Sequence, residues 1–290
     1  MFPVLFELPG GVPVRAYGVL VALGFLVAAY GLWPRLLAVH GNDPERDPSR
    51  SAQVALWTLI GLLIGGRLGF VAVELLRAWA SPEGSVIGRQ ILSAPWEALY
   101  FWKGGGVMYG GLAGALIAGI ACARRVGLEL GTALDTGLVC GAVGLAIGRV
   151  GCLLVGDDHG RVVPAWAEDL PFPITLRIPD SAWLAEHPES LLPREAAGEL
   201  LWATQTWMSL AALALAVLGL WLLPHRRRPG QVALTLGAVY AIVRSVIECF
   251  RGDTVRGVWF DGAVSTSQLV SLPLFIGCTW WLWRTRGEPR

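Results

Sequence analysis

Three arginines, Arg67, Arg149 and Arg244, stand inside otherwise apolar stretches, where a guanidinium needs a partner. In a bilayer interior an arginine costs roughly 3 kcal/mol or more unless it meets a carboxylate, water or an anionic ligand. Its planar fork of donors is always charged and suits phosphate or carboxylate. Arg149 falls among Gly141, Gly144, Gly148 and Gly151, which recur at three or four residues and strip one helix face of side chains. Another backbone, or a lipid head group, can then approach closely. This reads as an anion seat. The alternative is an arginine that snorkels to the interface or pairs with Asp157 or Asp158 for structure alone. Arg244 has Glu248 one turn on, the spacing at which side chains meet, and Arg67 has Glu74 two turns on, so both arginines are candidates for pairing. Three arginines at comparable depth in three different helices point, on the functional reading, to one cavity for a polyanionic head group.

Two further stretches carry polar chemistry. Residues 101–111, FWKGGGVMYGG, place three glycines before Met108 and Tyr109, so a helix starts there with exposed backbone donors. Tyr109 offers its hydroxyl, or serves as an interfacial ring in a belt with Phe101 and Trp102. Near the start, Arg15 and Tyr17 fall at the outer end of the first apolar segment, where either suits an interface.

The elements that position these residues follow from composition. Hydrophobic residues make up 54% of the 290, charged residues only 16%, and the mean hydropathy is +0.55. Ordinary soluble domains carry roughly 25% charged residues, so the chain is expected to be an all-α polytopic membrane protein. Apolar segments at about 17–39, 52–79, 105–123, 131–155, 200–223, 231–250 and 264–283 each reach the roughly 20 residues of a spanning helix, which predicts seven spans. Basic residues follow the first (Arg46, Arg50), third (Arg124, Arg125), fifth (Arg226, Arg227, Arg228) and last (Arg284, Arg286, Arg290) segments. Short basic loops stay cytoplasmic, so the N-terminus is expected outside and the C-terminus inside. One membrane domain, 1–290, then carries an extracytoplasmic cap insertion at 156–199 between spans four and five. This proline-rich stretch contains PFPITLRIP, enough for one short strand pair at most.

Several classes are disfavoured. The net charge of +1, with basic residues in short clusters, gives no nucleic-acid face. The five cysteines are odd in number, all within apolar blocks and without CxxC spacing, so neither a disulfide framework nor a zinc site is indicated. The start lacks a basic region and a small-residue cleavage site, so the N-terminus is expected to be retained.

Ordered motifs along nearly the whole chain resemble the bacterial prolipoprotein diacylglyceryl transferases. Gly148-Arg149-Val150-Gly151-Cys152-Leu153-Leu154-Val155-Gly156-Asp157-Asp158-His159-Gly160-Arg161 follows in register the family signature Gly-Arg-(Ile/Leu)-Gly-Asn-Phe-Ile-Asn-Gly-Glu-x-x-Gly-Arg. Ala16-Tyr17-Gly18, Gly65 to Phe70, Trp102 to Gly111, Thr204-Gln205, Arg244-x-x-x-Glu248-x-x-Arg251 and Ser265-x-x-Gln268 resemble further family motifs. The resemblance implies a multi-pass enzyme of the bacterial cytoplasmic (inner) membrane that needs no metal or other cofactor, and nothing in the sequence requires more than a monomer. Its implied substrates are phosphatidylglycerol, drawn from membrane lipid, and prolipoprotein signal peptides bearing a lipobox cysteine. The sn-1,2-diacylglyceryl group passes to that cysteine as a thioether and glycerol 1-phosphate is released. By position, Arg149, Arg244, Tyr109 and Asp157 are the implied catalytic residues. Tyr17, Arg67, Gly110, Gly111, Gly148, Gly151, Gly160, Glu248 and Arg251 are the implied substrate-binding ones.

The departures from the family pattern fall in the site. Tyr109 stands where the family has histidine, Cys152 and Val155 replace two asparagines, Asp157 replaces a glutamate, and Trp202-Ala203 replaces His-Pro. Tyrosine, with an ordinary pKa of about 10, is a poor base at neutral pH unless arginines lower it. The base is then open among Asp157, Asp158 and His159, or a thiol of pKa about 8.5 ionises unaided near arginines. A rival reading keeps the arginine cavity but makes the chain a lipid-binding or lipid-moving paralogue; a small-anion transporter is weaker because the halves show no inverted repeat.

Overall fold

The computed structural model describes every residue except 10, 42–46, 81–84, 101–104, 254–256, 261–263 and 286–290. Phe101, Trp102, Arg46, Arg286 and Arg290, all invoked from the sequence, lie outside the described residues. The chain is mostly helical and forms two compact units: Met1–His40 with Leu134–Arg290, and Gly41–Ala133.

In the first unit a hairpin of β1 (Val4–Leu8) and β2 (Val12–Arg15) leads into α1 (Ala16–Leu26), which runs through a π-helical stretch, Val27–Leu32, into α2 (Trp33–His40). α6 (Leu130–Val155) packs on α1 where neither has a side chain: a methyl added at Gly24 would stand 2.6 Å from the Gly144 carbonyl oxygen. In lipid, where apolar surface gains nothing by association, such backbone approach supplies the contact. The indole of Trp33 donates to Thr136 Oγ1 at 2.9 Å. Next come α8 (Thr204–Leu222), α9 (Gln231–Glu248) and α10 (Thr266–Arg284), and Val139, Leu215, Leu223, Val232 and Leu236 form a shared core. Two polar devices fix their ends. Buried Asp135 accepts from the backbone N–H groups of Gly230 and Ala233 at 2.9 and 2.7 Å, taking up orphan donors at the start of α9. Ser265 and Gln268 form a capping box on α10.

Between α6 and α8 the chain makes short turns, α7 (Ser181–Glu186) and β3 (Thr175–Arg177), which pairs antiparallel with β4 (Leu200–Trp202) over a small core of Ile178, Leu184, Leu192 and Leu201. Asp180 caps α7. The PFPITLRIP segment thus supplies one short strand, as its composition allows. A third ribbon pairs β5 (Val258–Trp259) with β6 (Val264–Ser265); neither this ribbon nor the N-terminal hairpin carries a signal that sequence periodicity makes legible.

The second unit is built on α3 (Pro48–Ala80) and α5 (Met108–Arg125). Gly61 and Gly65 on one meet Gly110 and Gly114 on the other with backbone against backbone, so any side chain there would force the helices apart. α4 (Val86–Ser93) is capped by Ser85, whose hydroxyl also donates to buried Glu74.

Helices form at all seven predicted apolar segments. Among the described residues, five are long and apolar enough to cross a membrane: Ala16–His40, Pro48–Ala80, Leu130–Val155, Thr204–His225 and Gln231–Glu248. Leu210, Leu213, Val217, Leu220 and Trp221 of α8 stand exposed, a face that water would penalise and lipid would not.

Candidate active site

α6 stops at Val155, and the chain reverses through two left-handed residues, Gly156 at φ +86° and Asp158 at φ +54°. Glycine takes that conformation freely, whereas a non-glycine residue there is uncommon and calls for compensation. The compensation at Asp158 is electrostatic: its carboxylate accepts from Arg149 on α6 and from Arg251 just past α9. Its carbonyl accepts from Thr204 Oγ1, at the start of α8, at 2.8 Å. Backbone hydrogen bonds join the same turn to the segment after α9: Arg161 donates to Phe250 at 2.9 Å and Gly252 to His159 at 3.1 Å.

The ion pairs continue. Arg251 also binds Asp253, with Nη2 2.6 Å from Oδ2, and lies 3.7 Å from Glu248. Arg244 Nη1 lies 2.8 Å from Glu248 Oε2 while Arg244 Nη2 donates to Ser267 of α10 at 3.1 Å. The distance from Nη1 to Glu248 satisfies an ion pair, but the angle does not make a hydrogen bond, so Nη1 is a buried donor with its hydrogen-bonding capacity unspent. The charge of Arg244 is compensated, while Nη1 makes no hydrogen bond. Arg149, Arg244 and Arg251 thus meet Asp158, Glu248 and Asp253 in one near-neutral cluster within the first unit.

The two aspartates of the turn are tuned oppositely. Burial pushes the Asp158 carboxyl up, but Arg149 and Arg251 outweigh it and hold it below the usual carboxylate range. Burial, followed by the charge of Asp158, raises Asp157 above that range. Asp157 Oδ1 accepts from the Asp158 backbone N–H at 2.9 Å. The carboxylate that bridges the arginines is therefore Asp158, one position beyond the residue the signature register singles out.

The sequence-predicted residues divide between the two units. Arg149, Arg244, Glu248 and Arg251 come together with Asp157 beside them. Gly151 faces the backbone of Tyr17, 3.1 Å from its Cα to a built methyl, and Tyr17 itself is 45% exposed on α1. Gly148 faces Val21, and Gly160 abuts Trp202 and bridges to Arg251. Bare glycine faces are thus filled here by neighbouring backbone and side chains. Tyr109 opens α5 in the second unit, followed by Gly110 and Gly111, which meet α3. Arg67 is also there. Its expected partner Glu74 is instead engaged by Arg77, at 3.1 Å, and by Ser85, because seven residues along a helix is too far for a direct pair. Arg67 donates to the carbonyls of Ala98 and Glu97 at 2.8 and 2.9 Å and lies over the ring of Phe70. It lines a cavity of about 400 Å³ with Phe70, Ile87, Gln90, Glu97 and Gly105.

Sequence reasoning missed Asp253 and Ser267 as partners of the arginines, and it gave Gln205 no role. Asp253 follows Arg251 at a spacing with no helical meaning, and Ser267 is recognisable only once α9 and α10 are seen to pack.

Fold and site together define a polytopic α-helical membrane protein with a buried arginine cluster suited to a phosphate. The family model described as prolipoprotein diacylglyceryl transferase matches residues 3–284, and the chain belongs to that family. It is 28% identical to the phosphatidylglycerol-prolipoprotein diacylglyceryl transferase of Rhodospirillum centenum over 99% of this chain and 92% of the relative. Proteins of the same name from Geobacter sulfurreducens and Ruegeria pomeroyi are each 30% identical, covering 94% of this chain and 91% and 88% of their own.

Proposed function

We propose that this chain transfers the sn-1,2-diacylglyceryl group of phosphatidylglycerol to the lipobox cysteine of prolipoproteins, the first step of lipoprotein maturation. The cysteine sulfur attacks the glycerol C3 carbon; the S–C bond forms as the C–O bond to phosphate breaks; glycerol 1-phosphate leaves with the electron pair and the thiol proton passes to a base. The reaction needs positive charge at the leaving group and a proton acceptor near the sulfur.

The observation that carries this reading is the shared cluster of Arg149, Arg244 and Arg251, in a chain matched over nearly its whole length by the family. Arg244 Nη1, ion-paired with Glu248 at 2.8 Å but making no hydrogen bond, can turn to an entering acceptor. An entering phosphodiester would take that donor and those of Arg149, leaving the Asp158 carboxylate on Arg251. Asp157 is the proton acceptor in this account, since a carboxylate with a raised pKa holds a proton better than an ordinary one. Tyr17, Gly148, Gly151, Gly160, Glu248 and Arg251 shape the lipid site, and Arg67, Tyr109, Gly110 and Gly111 serve the substrates from the second unit. The finer organisation is also a proposal: seven spans, with α5 and α10 completing the five strongest; a cap at 156–199 outside the bacterial inner membrane; the N-terminus outside and the C-terminus cytoplasmic; and a working monomer.

Purified protein in phosphatidylglycerol micelles with a lipobox peptide tests it. Thioether peptide and glycerol 1-phosphate in equal amounts are expected; lipid binding without either product would favour the lipid-binding reading and overturn this one.

A further inference from the structure

Gln205, in the first turn of α8, is fully buried, and neither its Oε1 nor its Nε2 has a hydrogen-bond partner. A buried amide with both ends unsatisfied is costly and rare in native proteins, so it calls for an explanation outside the chain's own hydrogen bonding. Its place is fixed by two bonds. One residue before it, Thr204 Oγ1 donates to the carbonyl of Asp158 at 2.8 Å; one turn after it, Ser209 Oγ donates to the carbonyl of Ala146 on α6 at 2.7 Å. α8 and α6 therefore run antiparallel side by side. Gln205 shares the face of Ser209, because residues four apart on a helix are neighbours, and it stands about level with Arg149, one turn on from Ala146. No side chain caps α8, so its N-terminus adds partial positive charge at the same place.

We propose that Gln205 is a head-group specificity residue: its amide binds the terminal hydroxyls of the phosphatidylglycerol head group while the neighbouring arginines hold the phosphate. The inference rests on the functional reading above and goes beyond it by naming the part of the substrate that is read. An amide presents one acceptor and two donors in a fixed plane, and a vicinal diol presents donors and acceptors at matching spacing. A head group without hydroxyls leaves both ends of the amide buried and unpaired, and sites of that kind reject the analogue strongly.

Equilibrium binding in detergent micelles separates this inference from the transferase reading, because it needs no turnover. The two ligands are phosphatidylglycerol and phosphatidylpropanol, which carry the same phosphate and acyl chains and differ only in the two hydroxyls. The native protein is expected to bind phosphatidylglycerol at least about tenfold tighter. Gln205→Leu is expected to erase that preference while leaving phosphatidylpropanol binding unchanged. Gln205→Glu, which keeps the volume and loses the donors, is expected to reduce the preference and serves if the leucine variant does not fold. Equal affinity of the native protein for the two lipids, or a preference undiminished in whichever variant folds, overturns the proposal and leaves Gln205 satisfied by a buried water. Absence of transfer with the head-group preference intact would instead count against the reaction and not against this site.

Discussion

The two units each hold arginine in apolar surroundings but compensate it in different ways. In the first, Arg149, Arg244 and Arg251 are met by carboxylates, so the cluster is near neutral and its geometry is fixed by ion pairs. In the second, Arg67 donates to the backbone carbonyls of Ala98 and Glu97, which orient the guanidinium. Carboxylate pairing makes a site exchangeable, because an incoming phosphate can replace one anion by another at little electrostatic cost. Carbonyl ligation holds a guanidinium in one fixed orientation. On this view chemistry belongs to the first arrangement and orientation of bound lipid to the second.

Substitution of one arginine from each unit tests that division most strongly. Arg149→Ala is expected to lower transferase kcat/KM by about 10³-fold, as loss of a donor to developing negative charge does. Arg67→Ala is expected to cost about tenfold, mainly in the KM for phosphatidylglycerol. Equal losses in the two, measured with a lipobox peptide, would dissolve the distinction.

Within the first unit, Asp158→Asn is expected to destabilise the fold at pH 7 by about 2 kcal/mol, below the range for breaking a fully buried pair because Asp158 is partly exposed. Since its native pKa is depressed, the stabilisation is present above the unfolded value of about 4 and disappears as pH falls through the native value. Asp157 has the opposite sign: its raised native pKa means that ionising it opposes folding as pH rises above about 4. Asp157→Asn should therefore leave stability at pH 7 unchanged or slightly higher while lowering turnover. Thermal melts of both variants between pH 3 and 8, on this account roughly mirror images, decide the matter. The smallest effect is expected at Tyr109→Phe, which removes one hydroxyl from the N-terminal turn of α5; about a threefold loss of kcat, with unchanged stability, would leave the proton acceptor in the first unit.

Much of this architecture is legible in apolar periodicity. The seven predicted segments coincide with helices to within a few residues, because a hydrocarbon environment forces backbone hydrogen bonds to be satisfied within each segment. The spacing of Arg244 and Glu248 likewise announces their contact. The N-terminal hairpin and the ribbon of β5 and β6 were not legible, since two- to five-residue strands carry almost no periodic signal. The sequence offered Asp157 and Asp158 alike as partners of Arg149, but not the bridge from Asp158 to Arg251. Family register points to Asp157, whereas Asp158, in a left-handed turn, holds the arginines. For Arg67 the sequence offered Glu74, the nearest carboxylate in the same helix, whereas carbonyls from the segment after α4 took its donors. Gln205 shows a third limit: a motif marks the residue, but only its burial without partners suggests what it does.

An experimental map of the protein with phosphatidylglycerol bound tests the central claim most directly. The account predicts phosphate oxygens within hydrogen-bond distance of Arg149 and of Arg244 Nη1, with Asp158 withdrawn from Arg149 and kept on Arg251. A phosphate bound elsewhere, with Asp158 still bridging Arg149 and Arg251, would contradict it.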